Sequence, residues 1–230
     1  MISRIRMLLA AGLALGLAAC GSVPGDEPPP DDRVASSAWH EWKRYGGNVI
    51  DYGGRNSRNG GGHESREPLA SRINTYWRAA GHPEWDGRSD KPWSGAFVAW
   101  VAKDAGLSNS DFRRAGRHAE YMKAMLDLQL AGRPGRYVVR DWRDVSPKSG
   151  DLICASTRPS DHRDARALRA AVDREVTHCD VVIDNRNGRA RVVGGNVSDS
   201  VSMSFFPTDF SGRLLPVRGR PWFAVVDKRD

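Results

Sequence analysis

The chain has few cysteines and lacks an apolar run of membrane-spanning length. Its 230 residues include three cysteines, which are too few for a disulfide-built scaffold or a cysteine-rich zinc site. The apolar stretch 7–19 would form a helix about 20 Å long, whereas the hydrocarbon core of a bilayer is about 30 Å thick. A charged fraction of 27% excludes a polytopic membrane protein, and 40% hydrophobic residues with eight tryptophans exclude a wholly disordered chain. This length predicts one domain plus appendages.

The first 19 residues have the features of a secretory signal peptide. Arg4 and Arg6 precede the apolar stretch, and small residues end it. Residues 17–21, Leu-Ala-Ala-Cys-Gly, resemble a bacterial lipobox. That resemblance implies cleavage before Cys20, a diacylglycerol group on its sulfur and usually a third acyl chain on its new amine. The alternative is an ordinary signal peptide in which Cys20 occurs by chance.

The predicted anchor indicates the compartment. Two or more acyl chains hold a protein stably on a membrane, so we expect a lipid-anchored protein on the periplasmic side of the cell envelope. Gly21 and Ser22 stand where an Asp would resemble an inner-membrane retention signal, and this favours the outer membrane. Residues 20–36 are rich in Pro, Gly and acidic residues, which predicts a flexible tether and leaves 37–230 as a single domain.

The net charge indicates which partners to expect. The chain carries +7, and loss of residues 1–19 would leave 33 basic and 28 acidic residues, a charge of +5. In a periplasm, a mildly basic protein is more suited to an anionic cell-wall polymer or to lipid head groups than to nucleic acid. An ordinary solvated surface would account for the same charge.

Hydrophobic periodicity divides the domain into helices followed by strands. An exposed loop is predicted over 51–63, and Asp90 is the expected N-cap of the third helix. The predicted helices are 36–45, 67–80, 90–105, 111–130 and 161–175. The predicted strands are 152–155, 179–183, 190–193, 201–206 and 222–226. Helices first and an antiparallel meander second describe an α+β domain.

Four short segments carry a family resemblance. Residues 93–100 read WSGAFVAW, 149–152 read SGDL, 177–182 read THCDVV and 193–196 read VGGN. In this order they resemble the nucleophile, sheet-entry, histidine and closing segments of the CHAP amidohydrolase/peptidase superfamily. The Trp-Ser-x-Ala-Phe-x-x-Trp segment with the later His-Cys-Asp also resembles the family called domain of unknown function 2272.

The resemblance implies a fold and a chemistry. The fold would be papain-like, with helices packed on an antiparallel sheet of five to six strands. The activity would be amide-bond hydrolysis without a metal or other cofactor, and peptidoglycan is the substrate and partner that an envelope location suggests. One departure matters: the family's Cys nucleophile is Ser94 here. A Ser hydroxyl ionises far less readily than a thiol, so it needs a well-aligned base.

The candidate catalytic residues follow from position. Ser94 at a helix start would have backbone N–H groups beside it to stabilise an oxyanion. His178, at a strand start, is the predicted base. The hairpin register places it opposite Asn196, which would orient the imidazole, and Asp180 on the same strand face is the second choice.

Three further residues remain open at this stage. His118 shares a helix face with apolar residues, which is more typical of a core histidine but also makes it a second base candidate or ligand contact. Trp93 flanks Ser94 and so has a positional argument for touching ligand. The tryptophans at 39, 42, 77 and 85 have a spacing more typical of a core than of a binding groove. The other histidines show no metal-ligand spacing.

Cys154 and Cys179 lie on predicted neighbouring strands of an exported protein, which favours a disulfide. Buried free thiols are the first alternative. The second is a relocated nucleophile at Cys179, although adjacent strand residues point to opposite faces, so Cys179 should face away from whatever His178 serves.

Two functions are therefore carried forward. The first is an envelope hydrolase that uses Ser94, His178 and Asn196. The second is a catalytically inactive relative whose groove binds cell-wall fragments or a protein.

Overall fold

The computed structural model describes residues 27–54 and 62–229. The predicted signal peptide 1–19, the lipidation candidate Cys20 and the first part of the tether lie outside the described residues. No helix within the described ranges has the length and apolar character needed to cross a membrane.

The described chain forms five helices and seven strands, and the fold class is α+β as predicted. The helices are α1 (Arg33–Arg44), α2 (Leu69–Ala79), α3 (Ser94–Asp104), α4 (His118–Leu130) and α5 (Ala165–Glu175). The strands are β1 (Asn48–Asp51), β2 (Tyr137–Arg140), β3 (Leu152–Ser156), β4 (Val176–Arg186), β5 (Arg189–Gly194), β6 (Ser202–Pro207) and β7 (Trp222–Lys228).

All seven strands form one sheet in the order β1-β6-β5-β4-β3-β7-β2. The β1–β6 pair is parallel and the other pairs are antiparallel. This corrects the expected antiparallel sheet of five to six strands, because the sheet is mixed and has seven. The two strands that sequence analysis missed, β1 and β2, have four residues each, which is too short for alternation to stand out.

Two cores hold the sheet, one on each face. On the helix-covered face, Trp42, Phe97 and Val181 belong to the larger cluster. On the opposite face, Val182 and Phe206 belong to a second cluster that loop residues cover. Successive residues of β4 thus enter different cores, as the alternation of a strand requires. Burial on both faces explains why these strands read as nearly continuous apolar runs.

Four helix starts differ from the predicted ones by three residues or more, among them that of α5, which begins at Ala165 instead of 161 because Asp164 is its N-cap. The α1 helix begins at Arg33, within the predicted tether, because the Asp32 carboxylate accepts hydrogen bonds from the first-turn N–H groups of Val34 and Ala35. Asp90 does not cap α3, whose N-cap is Trp93 without a side-chain hydrogen bond. The α4 helix begins at His118, seven residues later than predicted, because residues 107–117 form turns, bends and irregular backbone.

A disulfide joins Cys154 to Cys179, which confirms the predicted pairing. The two residues are directly opposite each other on β3 and β4, and both are fully buried. The bridge lies on the helix-covered face, where the Cys179 sulfur is 4.0 Å from that of Met122.

Removal of this bridge should lower the free energy of unfolding. The cysteines are 25 residues apart, and closing a loop of that length stabilises a fold by about 3.5 kcal/mol in the chain-entropy model. We expect the Cys154→Ala/Cys179→Ala double variant to lose about this amount in urea unfolding, and wild-type protein unfolded with a reductant to lose a similar amount. A loss below about 1 kcal/mol in both cases would show that the bridge is not stabilising.

Candidate active site

The starts of α3 and α4 meet, and two glycines allow the contact. A Cβ atom on Gly95 would overlap the carbonyl oxygen of Gly116, so α3 begins directly against the segment that leads into α4. A Cβ atom on Gly116 would in turn lie 3.0 Å from the Trp77 ring. This close approach brings together Ser94 and His118, the first residues of the two helices.

Ser94 and His118 form a buried hydrogen-bonded pair. The Ser94 Oγ lies 2.8 Å from Nε2 of His118, and each residue retains only 6% of its surface exposure. This is the separation that a nucleophile needs from its general base.

The surroundings of His118 indicate which ring nitrogen carries the proton. The backbone N–H of Cys179 points to Nε2 at 3.4 Å, so Nε2 presents a lone pair. This N–H is free for His118 because the pairing of β4 with β5 starts only at Val181. Nδ1 then carries the proton and donates it to the Tyr121 hydroxyl at 2.7 Å. The neutral ring is therefore held with its basic nitrogen toward Ser94.

The His118 imidazole is uncharged at neutral pH. Burial lowers its pKa to about 3, with further lowering by the charges of His178 and Arg220 and an opposing effect from Asp180. Burial also raises the pKa of Tyr121 well above its ordinary value, which keeps this partner a protonated phenol.

His178 belongs to a second polar group beside the first. Its Nε2 lies 2.9 Å from Oδ1 of Asp180, and the other oxygen of that carboxylate pairs with Arg220. Burial by itself would raise the pKa of Asp180, but Arg220 and His178 hold it at about 2. A side chain at Gly194 would overlap the Asp180 carboxylate and lie 2.9 Å from the His178 ring, so glycine is required there.

The hydrogen bonds among the candidate catalytic residues therefore differ from the predicted ones. Among the described residues, the hydrogen-bond partner of Ser94 is His118, which was the open alternative, and His178 is bonded to Asp180 instead. The two imidazole rings are neighbours, with centroids 5.6 Å apart. His178 thus lies beside the nucleophile–base pair without belonging to it.

Asn196 does not take the predicted position opposite His178. The predicted register is confirmed by the pairing of Val181 with Val193, but β5 ends at Gly194. Asn196 lies two residues beyond that end with a left-handed φ of 58°, so it has left the ladder. The His178 imidazole is instead hydrogen-bonded to Asp180, the second choice from sequence.

Trp93 lies behind Ser94 in the main core. It is 1% exposed, its Nε1 donates a hydrogen bond to Glu64 at 2.6 Å, and its ring packs near Tyr45 and Tyr76. Trp93 is absent from the lining of the cavity that Ser94 and His118 share. Trp93 therefore packs in the core and does not contact the cavity, although it is adjacent to Ser94 in sequence.

Ser94 and His118 open onto a cavity of about 460 Å³. Trp77 and Trp85 line it with nearly perpendicular rings whose centroids are 4.8 Å apart. The spacing of these two tryptophans favours a core, with a binding groove as the alternative. Helical spacing alone does not show that a Trp at the edge of a core also borders a cavity. The remaining lining residues are His82, Lys91, Pro92, Gly116, Arg117, Ala119, Glu120, Val176 and Thr177.

The SGDL segment of the resemblance has a structural role. The Asp151 carboxylate is fully buried and accepts the backbone N–H groups of Lys148 and Lys228, each at 2.8 Å. It thereby joins the start of β3 to β7. Burial raises the pKa of Asp151 to about 7 in spite of these two hydrogen bonds. Within the described ranges, no three His, Cys, Asp or Glu side chains are grouped as metal ligands would be.

Comparison with protein-family models identifies the family. Residues 37–228 match the model described as "Uncharacterized protein conserved in bacteria (DUF2272)". Because this match covers most of the chain, the protein belongs to that family. Searches of curated proteins and of solved structures find no match.

Proposed function

We propose that this protein is an amide hydrolase in which Ser94 is the nucleophile and His118 the general base and acid. The observation that carries the proposal is the 2.8 Å contact between Ser94 Oγ and the unprotonated Nε2 of His118, at the wall of an aromatic-lined cavity. Nucleophile, base and a hydrogen-bonded partner for the base are in the order that acyl transfer uses.

The reaction would proceed in two halves. Ser94 Oγ attacks the amide carbon as its proton passes to Nε2 of His118, and the carbonyl π electrons move to oxygen. Collapse of this adduct breaks the carbon–nitrogen bond, His118 gives its proton to the leaving amine, and an ester remains on Ser94. Water then attacks the ester, gives a proton to His118 and releases the acid as Ser94 regains its proton.

The start of α3 supplies stabilisation for the oxyanion. First-turn N–H groups of a helix have no acceptor within the helix, and the dipole places partial positive charge there. The first turn of α3 contains no acidic residue that would compensate this charge. Backbone donors aimed at a developing oxyanion typically contribute about 10²–10³-fold in rate.

The second polar group, which consists of His178, Asp180 and Arg220, would act on His118 through charge. His118 becomes a cation in each half-reaction; the Asp180 carboxylate favours that form, whereas the charges of His178 and Arg220 oppose it. Arg220 keeps Asp180 ionised, and the carboxylate is hydrogen-bonded to His178. We assign His178 and Asp180 as positioning residues.

The wider context of the proposal rests on sequence resemblance. The order of the four matched segments supports a papain-like, CHAP-like fold with Ser in place of Cys. The lipobox resemblance at Cys20 supports a lipid anchor in the outer membrane, where peptidoglycan is an available amide substrate. Family and location are an associational warrant for the substrate, whereas the nucleophile–base assignment rests on geometry.

The test is digestion of purified peptidoglycan by the full chain, with fragments read by mass spectrometry. New fragments whose masses match amide cleavage would support the hydrolase, and the masses would identify the bond. Co-sedimentation with the wall and no new fragments would overturn it in favour of the binding module. One observation favours that second function: a histidine whose pKa is about 3 is a weak base in the free protein.

The pH dependence of hydrolysis should report this unusual histidine. His118 stays in its basic form down to about pH 3, so we expect kcat/KM at pH 5 to be within about twofold of its value at pH 7. For a base with the ordinary pKa of about 6.5, kcat/KM would fall roughly 25-fold over the same interval. An acid limb centred near pH 6.5 would contradict the assignment of His118.

A further inference from the structure

We propose that the Ser94 cavity selects short peptides with a free carboxylate next to the scissile amide, and that Lys91 and Arg117 bind this carboxylate. The inference rests on the proposed function and names its substrate class. It depends on the charges that border the cavity, not on the catalytic pair.

The two cations border the cavity from different sides. Lys91 lies three residues before Ser94, and Arg117 immediately precedes His118. Both residues are exposed. Each therefore presents a positive charge at the border of the cavity onto which Ser94 opens.

Neither cation has an ion-pair partner among residues 27–54 and 62–229. The Lys91 ammonium lies over the Trp85 ring, whose centroid is 5.5 Å from Nζ. Elsewhere in the fold, arginines are neutralised by carboxylates, as Arg72 is by Glu41 and Arg191 by Asp184. Lys91 and Arg117 thus differ from such arginines, because no carboxylate of the described residues pairs with them and their charge is available to a ligand.

The acidic residues near the cavity do not cancel this charge. Glu120 is the single carboxylate in the lining. Glu84 is outside the lining, and its Oε1 lies 3.4 Å from Nδ1 of His82. Both α3 and α4 also begin at this cavity, and their dipoles add partial positive charge to that of the side chains. Within the lining, the two cations and the two helix dipoles outweigh the single carboxylate, which favours binding of an anion.

The rest of the lining suits a short peptide. The Trp77 and Trp85 rings form an apolar wall, and the His82 ring stacks on Trp85 at 4.3 Å. A volume of about 460 Å³ falls in the range of sites that enclose a small ligand. A peptide could place its side chains on the tryptophans, its amide at Ser94 and its carboxylate at the cations.

The test measures retention of matched peptides without turnover. A library of N-acetyl tripeptides, each present as the free acid and as the C-terminal amide, is passed over immobilised full chain carrying Ser94→Ala. We expect the acids to be retained about tenfold over the amides, since a charge-assisted hydrogen bond contributes about 1.5 kcal/mol or more. The Lys91→Gln/Arg117→Gln double variant should bring this ratio close to one.

A matched control separates this effect from net charge. Lys103→Gln/Arg113→Gln removes two exposed positive charges outside this cavity and should leave the acid-to-amide ratio unchanged. Equal retention of acids and amides, no retention of either, or an unchanged ratio in the Lys91/Arg117 variant would each overturn the inference. None of these results depends on hydrolysis, so loss of the proposed activity and loss of carboxylate selection can be told apart.

Discussion

Ser94→Ala should lower kcat/KM for amide hydrolysis by at least about a thousandfold and leave the fold intact. Loss of a nucleophile that acts together with its base removes nearly all covalent catalysis, and losses up to about 10⁶-fold are known for such groups. The substitution deletes a single buried hydroxyl, so Nε2 of His118 keeps the Cys179 N–H as a donor. Circular dichroism and urea unfolding would show the expected native state.

Ser110→Ala is the matched control for this variant. Ser110 is exposed and its hydroxyl contacts Ser108, so its loss should leave hydrolysis unchanged. Retained turnover in Ser94→Ala would exclude Ser94 as the nucleophile. Ser94→Cys gives complementary information: if wild type is inactive and this variant hydrolyses substrate, the site was inactivated by one substitution and the binding module is the native function.

His118→Gln should reduce kcat/KM by about a thousandfold or more, and His178→Gln by much less. Gln is close in size to His but cannot accept and return a proton, and the base shares the catalytic step with the nucleophile. The His178 ring lies 5.6 Å from that of His118 between centroids, and its charge opposes the His118 cation. We therefore expect its loss to cost roughly ten- to a hundredfold through displacement of the Asp180 carboxylate that it binds, not through charge. Steady-state kinetics on the fragment-releasing substrate would rank the two variants.

The ranking separates the geometric assignment from the one that sequence suggests. If His178 were the base, as the strand position predicts, His178→Gln would be the more damaging change. His40→Gln is the control, because His40 is an exposed residue of α1 that contacts Ser36. A greater loss in His178→Gln than in His118→Gln would contradict the account.

Sequence periodicity predicted much of the fold, because most elements bury apolar residues with a regular spacing. The α2 helix and strands β3 to β7 appear close to where the pattern places them. The errors have physical causes. The β1 strand is stabilised by pairing with β6, which lies about 150 residues away and leaves no local trace.

The candidate site was predicted in part, and the difference lies in backbone contacts. Ser94 stands at a helix start, which the motif identified. Its partner depends on Gly95 and Gly116, whose lack of side chains lets two helix starts touch, and no spacing rule connects positions that far apart. Asn196 was placed by a correct register that fails because β5 stops at Gly194.

The most direct test of the account is whether Ser94 is an activated nucleophile. The full chain would be treated with a fluorophosphonate, which reacts with activated serine hydroxyls and needs no knowledge of the substrate, and its peptides analysed by mass spectrometry. We predict one adduct, on the peptide containing Ser94, formed in wild type and lost in His118→Gln. No adduct on Ser94, under conditions that label a control serine hydrolase fully, would contradict the central claim.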